Sequence, residues 1–173
     1  MYISRVVRRA IPVLLACILS FTLSAQQSRT DEGAVISEFE ELAAFEYTID
    51  VLATEVAVGN TDSIPKDRYM ILDGIVSSRQ LISPAEDDYF GILELSSGEW
   101  EGGEDLYMYR CYVQLIGPDF FGAIPEPRSR TASPDEIPLH AHILLIGTYL
   151  GYGEDQQGNR FPVLEAVDFR ILK

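Results

Sequence analysis

Residues 143–152, Ile-Leu-Leu-Ile-Gly-Thr-Tyr-Leu-Gly-Tyr, and residues 161–169, Phe-Pro-Val-Leu-Glu-Ala-Val-Asp-Phe, are two apolar runs flanking a polar turn, Gly153 to Asn159. Runs of this length, rich in β-branched and aromatic residues and bounded by glycine, read as paired strands. They give strands over Ala141 to Tyr152 and Phe161 to Leu172. Working back, Leu106 to Ile116 reads as a strand ended by Gly117-Pro118, and Tyr89 to Leu95 as one ended by Ser96-Ser97-Gly98. The first strand is Tyr69 to Val76, where Gly74 marks a bulge or bend. The connection from Gly117 to Leu139 is long and rich in proline.

Five strands, a glycine kink in the first and one long connection between the third and fourth give a mainly β chain with the order of a five-stranded Greek-key barrel. The closing pair quoted above, together with Ile71-Leu72-Asp73-Gly74-Ile75-Val76, resembles the anticodon-binding-like (tRNA_anti-like) OB family over Arg68 to Lys173. The resemblance implies an OB-like barrel. It departs from the nucleic-acid-binding members in charge, so their ligand class is not carried over.

Ahead of the barrel, Val35, Ile36, Phe39, Leu42 and Ala43 recur at helical spacing behind the acids Asp31 and Glu32, which predicts an N-terminal amphipathic helix over Asp31 to Phe45. Tyr47 to Val58 fits both periods. Its β-branched residues favour a strand.

The chain begins with the marks of export. Arg5, Arg8 and Arg9 precede an uncharged apolar stretch from Ile11 to Leu23, and Leu23-Ser24-Ala25 offers a cleavage site. The stretch is short of the ~20 residues that span a bilayer. Leu14-Leu15-Ala16-Cys17 offers lipid anchoring through Cys17 as the less favoured alternative. The expected organisation is a signal peptide over 1–25, a helix and connecting segment over 26–66, and the barrel over 67–173. The location is then periplasmic or secreted, with no transmembrane span after cleavage.

Cleavage removes three arginines and no acid, taking the formal net charge from −14 to −17. Such a field repels phosphate backbones unless basic residues cluster. Along the sequence basic residues form no cluster beyond short pairs such as Arg128 and Arg130, so no nucleic-acid partner is expected. Cys111 is left alone after cleavage and reads as a buried small hydrophobe.

No Gly-x-Ser-x-Gly elbow, His-Glu-x-x-His helix or phosphate-binding glycine loop occurs. No catalytic residue and no cofactor are expected, and the chain reads as other than an enzyme. Acidic residues crowd Glu99 to Asp105 and Glu86 to Asp88 and read as solvated turns. His140 and His142, at i and i+2, would share one face of a strand and are the candidate metal ligands, with Asp135 and Glu136 upstream. In the third strand Tyr107, Tyr109, Cys111, Val113 and Leu115 read as core. Met108, Arg110 and Tyr112 fall on the outer face, and with Phe120 and Phe121 of the long connection they are the candidate ligand-binding residues. The functional expectation is an exported, non-catalytic binding module for a protein or other envelope ligand. The alternatives are a structural or assembly protein of the envelope and a metal-dependent hydrolase.

Overall fold

A computed structural model of the protein describes residues 41–101, 105–126 and 133–172. The signal segment, the part of the helix expected over Asp31 to Phe45 that precedes Glu41, and the Arg128/Arg130 pair lie outside them. Of the described end of that helix only Glu41 and Leu42 are helical, and Ala43 instead bridges to Tyr69. The chain divides into a unit ending at Glu41 and a compact unit from Leu42 onward. Every strand among the described residues belongs to the second unit.

There are five of them: β1 (Tyr69–Ser83), β2 (Phe90–Glu101), β3 (Asp105–Ile116), β4 (His142–Glu154) and β5 (Arg160–Ile171). They close into a ring in the order β1-β2-β3-β5-β4. All neighbours are antiparallel except β3 and β5, which run parallel and pair only through Tyr112–Val163, Val113–Leu164 and Gln114–Glu165. This is the order of an OB fold.

The inward face follows from alternation. Ile143, Leu145, Gly147 and Tyr149 on β4 are buried while the residues alternating with them are not, and Cys111, Val113 and Leu115 repeat the pattern on β3. Gly147 holds an inward position where β4 crosses β5: a Cβ there would lie 2.6 Å from the Glu165 carbonyl oxygen. Only a residue without a side chain lets the strands approach so closely.

β1 is longer than its apolar pattern suggests. It pairs with β4 through Tyr69–Ile75 and then with β2 through Ile75–Ser83, so the polar tail Ser77-Ser78-Arg79-Gln80 stays in the sheet. The expected bulge lies at Ser77, between Val76 and Ser78. Gly74 serves a different purpose, since a Cβ there would meet Ile49 Cδ1 at 2.7 Å.

That isoleucine belongs to a helix, α1 (Ile49–Val58), where a strand is the expectation from β-branched content. Burial overrides propensity here, because Ile49, Leu52 and Val56 at i, i+3 and i+7 form one stripe and all three are buried. Gly59 ends the helix at φ 83°, with its N–H and that of Asn60 returning to Val56 and Glu55. α1 packs chiefly on β3 and β5, where the short parallel pairing leaves the ring least closed.

The described parts of the Gly117 to Leu139 connection cover the other end. Phe120, Ala123, Ile124 and Ile137 are buried in the core, and the Ile124 N–H donates to the buried Tyr89 hydroxyl at 2.8 Å. Among the described residues no helix is long and apolar enough to cross a membrane.

Candidate functional site

β3 changes character halfway along. Cys111, Val113 and Leu115 point into the barrel, but Leu106, Tyr107 and Met108 are all exposed because the β2–β3 hairpin runs on past the core. Tyr107, expected inside, is therefore outside. Arg110 and Tyr112 keep the outward direction their alternation predicts.

The fold then adds side chains that the sequence keeps fifty residues away. Parallel pairing of Tyr112 with Val163 sets Phe161, two residues earlier on β5, on the same outer face. The Arg110 guanidinium lies over the Phe161 ring, 4.8 Å from its centroid, and Tyr112 meets the same ring edge-on at 5.8 Å and 88°. Next to Phe161, Arg160 lies 4.9 Å from the ring centre of Tyr152. Each cation–π contact at such an exposed site contributes about 0.5–1 kcal/mol, enough to bias rotamers and too little to occupy the ring faces permanently.

Carboxylates hold this arrangement from the rim. Glu94, opposite Tyr112 on β2, stands 3.9 Å from Arg110 and accepts a 2.9 Å hydrogen bond from Ser77. Burial, then the Glu94 charge, pushes the Tyr112 phenol up, so it remains a neutral donor. Glu154 stands 3.8 Å from Arg160. In the β4–β5 turn Asp155 accepts from the Asn159 side chain at 2.9 Å and from the Gln157 and Asn159 backbone N–H groups. The Asn159 hydrogen bonds hold its carboxyl below the ordinary value.

Arg110, Arg160 and Phe161 border an open groove of about 290 Å³. Its far wall is α1, through Ala53, Thr54 and Ala57. Arrayed this way, the site can stack a flat ring against an aromatic or guanidinium face and neutralise an anion beside it.

The candidate ligand-binding residues divide between the two ends of the barrel. Met108, Arg110 and Tyr112 belong to this site. Phe120 does not: it is buried and stacks on Phe169 at 6.3 Å and 24°. Phe121 is half-exposed and packs edge-on to Tyr89 at 6.1 Å. β3 itself separates the two groups, since Met108 and Ile116 lie about 26 Å apart at the rise of an extended strand.

The metal candidates are not brought together on a strand face. β4 starts at His142, while His140 lies in the preceding turn with φ 66°, which breaks the i, i+2 alternation. His142 pairs with Asp73 on the neighbouring strand, and Glu136 is taken by Arg79 at 2.9 Å. Among the described residues no group of three His, Cys, Asp or Glu side chains is arranged to hold a metal ion.

No family model matches the chain, and no curated protein matches it. Solved structures similar to it include a small single-stranded DNA-binding protein from Streptomyces coelicolor, at 10% identity and TM-score 0.40, covering 64% of this chain and 96% of that one. A small single-stranded DNA-binding protein from Mycoplasma pneumoniae is similar at 11% identity and TM-score 0.39, covering 61% and 93%. PriB from Ralstonia solanacearum is similar at 8% identity and TM-score 0.37, covering 61% and 97%.

Two expectations are corrected: the module for a protein or envelope ligand, and the exclusion of nucleic acid. Both rested on charge counted along the sequence, whereas folding sets Arg110, Arg160 and the Phe161 ring on one groove. At physiological salt the Debye length is about 8 Å, so distant carboxylates contribute little there and the immediate neighbours decide.

Proposed function

We propose that the barrel binds single-stranded nucleic acid, by base stacking more than by phosphate contact. One observation carries this reading: the Phe161 ring is flanked by Arg110 at 4.8 Å and Tyr112 at 5.8 Å on the outer face of the β3–β5 seam. OB folds take oligonucleotides on the face of their second and third strands and on the β1–β2 and β4–β5 loops, and this site shares β3 and the β4–β5 turn with that region. Single strands expose the π-faces such a platform needs, and a duplex hides them. A stacked base contributes about 1–3 kcal/mol. Two rim arginines, each with a carboxylate about 4 Å away, supply a small electrostatic share. The module is thus a weak binder of short single strands. The groove-lining side chains bind rather than react, being arginine, phenylalanine, methionine, tyrosine and small helix residues. The N-terminal export signal belongs to this reading as well, placing the module outside the cytoplasm.

The test is a titration of a fluorescently labelled oligodeoxythymidylate at low salt, with an unlabelled duplex as competitor. Saturable binding that the duplex fails to displace is expected. Preference for the duplex, or no binding, would overturn the reading.

A further inference from the structure

The groove beside the stacking platform has a floor and mouth from the barrel and a wall from α1. It exists because β3 and β5 pair over only three positions, so that ahead of Tyr112 and Val163 the strands are no longer zipped together. The helix bridges the opening. Ala53 and Ala57, one turn apart, line it on the helix side together with Thr54. A row of larger side chains would close the space by direct contact, whereas these leave about 290 Å³ open. Pockets that hold drug-sized ligands run from roughly 300 to 1,000 Å³, so this one takes a single ring-bearing unit.

Arg110 and Arg160 border the mouth of the groove and can take an anion there, each sharing its charge with a carboxylate about 4 Å away. Arg160 also lies against the C-terminus of α1, with Nη1 3.8 Å from where a Gly59 Cβ would stand. The carbonyl end of a helix favours a cation, which keeps this guanidinium at the rim.

We infer that the groove between α1 and the β3–β5 seam seats one base of the bound strand, edge-first between Phe161 and the helix wall, with its phosphate at the Arg110/Arg160 mouth. The inference rests on the proposed single-strand binding and makes α1 part of the binding site. It predicts that a substitution on the helix, across the groove from the platform, weakens binding.

Two variants separate the site from the function. Ala57 is exposed in the last turn of α1, and leucine is nearly as good a helix former as alanine, so Ala57→Leu narrows the groove and leaves the fold intact. Arg110→Ala removes the cation shared by groove and platform. With labelled oligodeoxythymidylate as the probe and circular dichroism to confirm folding, both variants are expected to bind at least about tenfold more weakly than the wild type, the loss of roughly one stacked base. Wild-type affinity in Ala57→Leu with weakened binding in Arg110→Ala overturns the seated base and leaves the platform standing. If the wild-type protein binds neither the oligonucleotide nor thymidine monophosphate, the underlying function falls and the inference with it.

Discussion

Phe161 is the residue around which the site is built, and its role could not be read from its position in the chain. It follows a polar turn and opens a strand, as many buried phenylalanines do. Only the parallel pairing of β5 with β3 brings it under Arg110. The other half of the site was legible, because the period of two puts Met108, Arg110 and Tyr112 on one face whatever the partner strand is. Cys111, between them, faces inward and is fully buried, which pushes its thiol up to about 12. Its nucleophilic thiolate is thus suppressed. The folded protein is expected to leave a thiol reagent unconsumed at neutral pH and to react stoichiometrically once denatured. Fast labelling of the native protein would refute this. The same shift sets a sign for stability. The folded state keeps a proton that the unfolded chain releases above about 9, so the contribution is present below 9 and lost as pH rises towards 12. Melting at increasingly alkaline pH should show the decline, and Cys111→Ala should flatten it.

Secondary elements were legible where pattern and environment agree. Three of the five strands, β3, β4 and β5, have expected ends within two residues of the observed ones, whereas β2 extends from Leu95 to Glu101 as a polar hairpin arm. The tail of β1 was hidden for a related reason, since Ser77 to Gln80 is held by β2 pairing rather than by apolar burial. α1 departs from its expected strand because Ile49, Val51, Val56 and Val58 suit a strand, while its buried stripe repeats at helical spacing. The contacts of two glycines turn this geometry into an ordered prediction. At Gly147 a methyl group would strike the Glu165 backbone, and at Gly74 it would strike only the mobile end of the Ile49 side chain. Gly147→Ala is expected to cost about 1–3 kcal/mol or more and Gly74→Ala less, because a side-chain tip can move aside more cheaply than a paired strand. Urea denaturation of the two variants measures the difference, and the reverse ranking would contradict this packing of β4 on β5.

The whole molecule combines an acidic surface with a small cationic aromatic site, and net charge alone concealed the second. A sum over the chain gives −14 and says nothing about where two arginines meet. The proposed export is testable at this scale too. Mass spectrometry of the protein recovered from its native host should find a mature chain starting at Gln26, and an intact Met1 terminus would contradict the cleavage. The most direct test of the central claim is the salt dependence of oligodeoxythymidylate binding. Two phosphate-contacting arginines give a slope of about −1.4 in log affinity against log salt, from about −0.7 per contact on single strands. A shallow slope near that value, with binding persisting at physiological salt through stacking, is the predicted result. A several-fold steeper slope, or no saturable binding at any salt concentration, would contradict it.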